Sequence, residues 1–515
     1  MQRLSRRRVL SMLGASAGFA GATALTACAT RDRSHGRRGF ALAPEIDAAV
    51  ERAMARDLAP ALSVAVYSRQ GVYARGLGLA DIQTGERTSA ETAFYVASST
   101  KSMTALALAV LHARGVLDLD STLAELSPEI AFPPATRPGE VRLRQLLAHI
   151  GGIANEPIEF RFAYSGQHDA STVWRLLTVS EPNIAAPLGT FRYANISYNI
   201  ATLLTDRKLG VRWQDLLQRE IFAPAGMTRT TPFMSRAKAS GWSVAKPHRL
   251  DRSGMRERSY LEKTDQTMHS AGGVVMSAQD AARWLELIIE EGRVGGRRCV
   301  PAEAVQGTRA PIATVNAELD GYRREHYGLG WYIGPYRNER MLHHFGGFSG
   351  CRAHVSYLPD QAIGVAAFTN DSTVGLRLVN AIANYVYDRA GGYPDAQQRL
   401  EAALDANKAR YDEAARKIVA NRASRANLQL NLTRSRAAYA GAYENADWGR
   451  VDVTVENSSL RVAFGVMRAL AEPHGKPDAV WVELEPGEGE VLQFDGDGIE
   501  PTSLTLDGRR FDRKT

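Results

Sequence analysis

Three short constellations in this 515-residue chain hold side chains able to carry out acyl transfer. The first is Ser98-Ser99-Thr100-Lys101. A serine hydroxyl is a weak nucleophile until a neighbouring base takes its proton, and a desolvated lysine can serve as that base. The second is Tyr193-Ala194-Asn195. A tyrosine held near Lys101 would have its ionised form favoured by the positive charge and could act as a general base. Asn195 supplies an amide able to hold both Lys101 and a substrate carbonyl. The third is His344-Phe345-Gly346-Gly347. Its glycines let a substrate backbone approach closely, and the Gly347 N–H could pair with the Ser98 N–H as an oxyanion hole.

Each motif alone is weak. Ser-x-x-Lys recurs at Ser235–Lys238 and Ser243–Lys246, and Tyr-x-Asn recurs at Tyr336–Asn338 and Tyr443–Asn445. Position separates the copies. Ser98 opens an apolar stretch that reads as a helix to Arg114, with Leu106, Val110 and Leu111 on one face and Gly115 as the stop. That start puts the Ser98 hydroxyl at the positive end of the helix dipole, with Lys101 three residues on and on the same face. Tyr193 follows a turn at Pro187-Leu188-Gly189-Thr190 and precedes a helix near 196–208. His343 and His344 alternate across a strand, so only one of them can face a cleft.

The elements that must position these groups follow from periodicity. A short helix from Pro44 to Arg56 precedes a β-hairpin made of 61–67 and 72–74. Further helices are expected near 172–180, 277–291 and 374–390, with strands at 354–358 and 364–369. Helices inserted between early and late strand pairs predict an α/β (α+β) arrangement on an antiparallel sheet. Gly391-Gly392-Tyr393-Pro394 interrupts the pattern. A charged helix follows, with Leu400, Leu404, Tyr411, Ala415 and Ile418 near a 3.6-residue period. From Leu432 onward, short alternating runs separated by turns predict a small all-β domain.

With these residues in place, the chain resembles the serine β-lactamase and penicillin-binding-protein superfamily, in its class C β-lactamase-like branch. The three motifs stand in family order. Phe94-Tyr95-Val96-Ala97, Leu146-Leu147-Ala148-His149-Ile150-Gly151-Gly152-Ile153 and Ile221-Phe222-Ala223-Pro224-Ala225-Gly226-Met227 are similar to family text. So are Ala271-Gly272-Gly273-Val274, Tyr327-Gly328-Leu329-Gly330-Trp331 and Phe368-Thr369-Asn370. The likeness spans about residues 44–390, and Tyr439-Ala440-Gly441-Ala442-Tyr443 resembles the start of the lipocalin-like β-domain that often trails such enzymes. The resemblance implies a β-lactamase/transpeptidase-like antiparallel sheet flanked by helices. It also implies acylation of Ser98 by an amide or ester carbonyl, followed by deacylation by water, with no cofactor. Ile150 and Gly151 depart from the usual His-Thr-Ser-Gly loop, and the loop 154–170, with Glu156 and Glu159, has no counterpart.

Class C β-lactamases generally place a lysine in the third motif, where it supports binding of the β-lactam carboxylate. His344, with an ordinary pKa near 6.5, is a weaker electrostatic handle at neutral pH. This favours a D-amino-acid peptidase, D-Ala-D-Ala carboxypeptidase-like enzyme or carboxylesterase over a β-lactamase. A pH step in activity assignable to His344 is expected. A non-catalytic penicillin- or cell-wall-binding lipoprotein is the rival, although a binding module does not need Ser98, Lys101, Tyr193 and His344 together.

The formal net charge is +7, which invites nucleic acid, a membrane or an acidic substrate as partner. Residues 1–38 hold Arg3, Arg6, Arg7, Arg8, Arg31, Arg33, Arg37 and Arg38 against Asp32 alone, which is the whole excess. The rest of the chain is neutral, so nucleic acid is not an expected partner. Ser5-Arg6-Arg7-Arg8-Val9-Leu10 resembles a twin-arginine export signal. Leu25-Thr26-Ala27-Cys28 resembles a lipobox, with Cys28 as the lipid attachment site. The expected organisation is an export signal over 1–27 and a tether over 28–42. A hydrolase domain over 43–392, a linker helix over 393–430 and a lipocalin-like β-domain over 431–515 complete it. The tether's arginines would lie beside an anionic membrane surface on the periplasmic face. Cys299 and Cys351 remain, either paired or as two buried small side chains. No His-Glu-x-x-His spacing points to a metal. Gly347-Phe348-Ser349-Gly350-Cys351 comes near a nucleophile elbow but lacks its final glycine.

Overall fold

The computed structural model describes residues 40–425 and 427–514. The expected export signal over 1–27, Cys28 and nearly all of the expected tether lie outside the described residues.

A nine-stranded antiparallel sheet is the frame of the first domain. Its strands are β1 (Ala61–Ser68), β2 (Gly71–Asp81), β3 (Glu86–Arg87), β4 (Ala313–Leu319), β5 (Tyr322–Tyr327), β6 (Tyr332–Tyr336), β7 (Glu339–Phe348), β8 (Cys351–Leu358) and β9 (Ile363–Thr369). They lie in the order β4-β5-β6-β7-β8-β9-β1-β2-β3. β1 and β9 are buried along their whole lengths, because helices cover both faces. Ala61 and Ala65 point into one core, and Leu62, Val64 and Val66 point into the other. The first core contains the helices Thr100–Ala113 and Ala278–Ile289, and the second contains Ala43–Ala55, Gly375–Ala390 and the long helix Ala396–Arg425. The expected linker helix is therefore docked, through Ala396, Leu400, Leu404 and Tyr411.

The helix Thr100–Ala113 buries residues on every side, which is why its sequence is apolar all round. It ends at Arg114, with Gly115 in the left-handed region at φ 67° as the stop. Its start differs by two residues from the sequence expectation. Ser98 lies in a single 3-10 turn, Ala97–Ser99, just before the helix.

The C-terminal domain is a nearly closed, barrel-like nine-stranded sheet running from Gly441 to Arg513, all antiparallel. Tyr439, Tyr443, Val451, Val462, Phe464 and Phe494 are among the residues that fill its interior. Phe160, Tyr164, Tyr260 and Phe348 of the first domain pack against that interior. Among the described residues no helix is long and apolar enough to cross a membrane.

Candidate active site

Ser98 is aimed by a strained turn. Ala97, directly before it, has φ 44°, a conformation that costs a non-glycine residue about 1–3 kcal/mol. β7 holds the turn from the side: Ser99 Oγ donates to the His344 carbonyl at 2.9 Å. Gly346 passes so close to the Val96 carbonyl that a side chain there would collide with it. Glycine at 346 is thus required by a close approach of backbone to backbone.

Lys101 is fully buried, and its Nζ is the hub of the site. It lies 3.3 Å from Ser98 Oγ, 2.6 Å from Tyr193 Oη, 2.7 Å from Asn195 Oδ1 and 2.8 Å from the Ala271 carbonyl. Burial brings its pKa down to about 7. At neutral pH a large share of Lys101 is therefore an amine with two N–H groups and one lone pair. Asn195 Oδ1 and Ala271 O are obligate acceptors and use the two N–H groups, which leaves the lone pair for the hydroxyl side of the site.

Asn195 is oriented by a residue that motif reading does not single out. Its Nδ2 donates to Glu159 Oε1 at 2.9 Å, so its Oδ1 must face Lys101. Glu159 also accepts from the Ile196 N–H. His149 is a second such residue. Its Nδ1 accepts from the Ala194 N–H at 3.2 Å, and its ring packs 4.7 Å from Tyr193. His149 lay in plain view within the Leu146–Ile153 text, but a contact to the Tyr193 segment carries no local signal. Glu159 lay in the loop without a counterpart.

The structure separates the repeated motifs. Ser235 is exposed and bonded to Asp265, and Ser243 Oγ faces Thr92 while Lys246 pairs with Glu262. Tyr336 donates to Asp388 and Tyr443 to the Tyr439 carbonyl, so neither phenol is bonded to Lys101. Ser349 sits in the tight turn between β7 and β8, a hairpin and not a strand-to-helix elbow. Cys299 and Cys351 are both free and buried, and burial pushes the Cys351 thiol up to about 12.

Two expectations are corrected. The Tyr193 phenol is not ionised near neutrality, since enclosure in the aromatic end of the cleft pushes it well above its ordinary value. His344 does not titrate near 6.5. It is buried beside Lys101, with Nε2 3.1 Å from Tyr327 Oη and Nδ1 2.9 Å from the Phe345 carbonyl, and burial holds it well below the usual range. The imidazole is neutral at working pH, so the base whose titration falls near neutrality is Lys101. His343 does point away, into a stack with Phe345 and Tyr322.

The cleft above these groups is a cavity of about 620 Å3. Tyr193, His344, Gly346 and Gly347 line one side, with Arg324 and Arg352 also contributing. Glu485, Pro486 and Glu488, from a β-hairpin of the C-terminal domain, also line it. The cleft therefore carries charges of both signs.

A buried lysine beside a serine, on an antiparallel sheet between helical layers, defines the β-lactamase/transpeptidase-like fold. The family model described as Beta-lactamase matches residues 46–399, and the chain belongs to that family. The octameric penicillin-binding protein homologue from Pyrococcus abyssi shares the fold at TM-score 0.58 and 20% identity, over 91% of this chain and 99% of that one. D-amino acid amidase from Ochrobactrum anthropi SV3 aligns at TM-score 0.55 and 17% identity, over 71% of this chain and 99% of that one. Among curated relatives, an unguisins hydrolase of Aspergillus violaceofuscus is 24% identical over 349 residues, 61% of this chain. The match covers 58% of that relative's length.

Proposed function

We propose that the protein hydrolyses amide or ester bonds through an acyl-enzyme on Ser98, with D-amino-acid peptides and amides as the preferred substrates. The observation that carries this reading is the Lys101 hub, one buried amine within 3.3 Å of Ser98 and hydrogen-bonded to Tyr193 and Asn195. Neutral Lys101 takes the Ser98 proton as Oγ attacks the carbonyl carbon. The N–H groups of Ser98 and Gly347 receive the oxyanion, and the proton passes through Lys101 and the Tyr193 hydroxyl to the leaving amine or alcohol. Water repeats the sequence on the acyl-enzyme.

A cleft that offers Arg324 and Arg352 against Glu485 and Glu488 suits a peptide end better than a plain alkyl ester. The kinship with a D-amino acid amidase fold is consistent with this preference. A panel of D-Ala-D-Ala peptides, D-amino acid amides, short aryl esters and a chromogenic cephalosporin tests it. The peptides and amides are expected to show the highest kcat/KM and the cephalosporin the lowest. A cephalosporin turned over faster than every other member would contradict the reading.

We also propose export and lipid anchoring at Cys28, supported by the arginine run 6–8 and the sequence Leu25–Cys28. Radiolabelled palmitate incorporated into the full chain but not into Cys28→Ala tests that proposal, and equal labelling of both would refute it.

A further inference from the structure

Glu159 reaches Lys101 through Asn195, and the segment that carries Glu159 is gripped by the other domain. The helix Glu156–Phe160 runs into the turn Arg161–Ser165. Arg161 is buried, and every nitrogen of its guanidinium is used. Nε donates to the Asp447 carbonyl at 2.7 Å, Nη2 to the Ala446 carbonyl at 3.3 Å and Nη1 to the Gln167 carbonyl. Gln167 then exchanges two hydrogen bonds with the Arg450 backbone, at 2.9 and 2.7 Å. The Val466 N–H donates to the Ser165 carbonyl at 3.0 Å. Phe160 packs its ring against Trp448 at 5.6 Å and Phe464 at 4.8 Å. Ala446, Asp447, Trp448, Arg450, Phe464 and Val466 all belong to the barrel-like domain. That domain therefore grips the residues that directly follow Glu159.

We propose that the C-terminal β-domain is a positioning element of the catalytic centre: by clamping Arg161 and Phe160 it holds Glu159 on Asn195, and so holds Asn195 on Lys101. This rests on the reading of Lys101 as the base that activates Ser98. Arg161 acts only through the segment and touches no reacting atom. Its three carbonyl partners are ones a buried guanidinium must keep, since an unmet buried donor costs about 1–3 kcal/mol. The segment has little freedom to drift while the clamp is intact.

The groups facing Lys101 fix the sign of the expected pH effect. Glu159 lies on the clamped segment; His149, Tyr193, Tyr198, His269 and His344 face it from the other elements. Burial keeps the three imidazoles neutral and the two phenols protonated near pH 7. Glu159 is the carboxylate that raises Lys101. If it withdraws, Lys101 loses its proton more readily, and the rising limb of kcat/KM moves to lower pH.

The test compares Arg161→Ala, Trp448→Ala, Glu159→Gln and Arg161→Ala/Glu159→Gln in the full chain with an aryl ester, counting active molecules by fluorophosphonate labelling of Ser98. Arg161→Ala is expected to lower kcat per labelled molecule about 10- to 100-fold, the size of loss that small misplacements cause. Its limb should shift in the same direction as that of Glu159→Gln, with Trp448→Ala showing a smaller version and Arg161→Lys recovering part of the loss. In the Glu159→Gln background the Arg161 substitution should add little. Loss of activity only in step with loss of folded protein, an unmoved limb, or an equal loss in both backgrounds overturns the proposal. If Arg161→Ala does not fold, Trp448→Ala with wild-type kcat and an unmoved limb overturns it. Failure of the underlying reading looks different, because Lys101→Met would then stay active.

Discussion

Two lysines in this molecule share an unusual condition and differ in what surrounds them. Lys101 and Lys263 are both enclosed, and burial brings each down to about 7. Each donates to one backbone carbonyl, Ala271 at 2.8 Å and Ala163 at 2.6 Å, and each lies against aromatic rings. Lys263 Nζ sits 3.5 Å over the Phe348 ring, next to no hydroxyl and no amide side chain among its hydrogen bonds. Lys101 sits among Ser98, Tyr193 and Asn195. A depressed lysine pKa is therefore not the mark of this site. The mark is a depressed lysine whose lone pair meets a hydroxyl held in a strained turn.

The sharpest way to break the comparison is to remove each amine in turn. Lys101→Met should lower kcat/KM by about 100- to 10,000-fold, the range for losing a positioned base. Lys263→Met should leave kcat/KM within a small factor of wild type, measured on the same ester. A collapse of activity in Lys263→Met would mean that proton transfer reaches beyond the Ser98 hub.

A second, smaller effect is on stability and is read most cleanly at Lys263. An unfolded lysine keeps its proton up to about 10.5, whereas folded Lys263 gives it up at about 7. Raising pH between those values favours the folded state, because the unfolded chain binds more protons there. Denaturant unfolding of Lys263→Met should show a weaker gain in stability from pH 7 to 9 than wild type. An identical gain would place the proton elsewhere.

The smallest expected change is at His344. His344→Gln is expected to keep the rising limb of the pH profile near 7, because that limb belongs to Lys101 and the imidazole is already neutral. A limb that disappears in His344→Gln would return the titration to the histidine.

The sequence carried the architecture well where local pattern decides it. The apolar run after Ser98, the alternation of β-domain strands and the hairpin at β1–β2 all read directly from periodicity. It also carried Ser98, Lys101, Tyr193 and Asn195, although each motif occurs more than once. The apolar helix after Ser98 singles out the copies that the fold brings together around Lys101. What stayed hidden depends on enclosure and on contacts distant in sequence. The direction of the Tyr193 and His344 titrations turns on burial, which no spacing reveals. Glu159 is 36 residues from Asn195, and Arg161 is more than 280 from the Ala446 and Asp447 carbonyls. His149, just before the departure at Ile150–Gly151, has φ 59° and packs against Tyr193, a placement its neighbours in sequence do not announce.

Everything proposed for this site depends on Ser98 being the nucleophile that forms an acyl-enzyme. Intact-mass measurement after exposure to a fluorophosphonate, and separately to penicillin, tests it on wild type and Ser98→Ala side by side. One fluorophosphonate adduct is expected on wild type, mapped to the peptide containing Ser98, with a penicilloyl adduct at that same residue wherever one accumulates, and neither on Ser98→Ala. An adduct of either kind that persists on Ser98→Ala would contradict it.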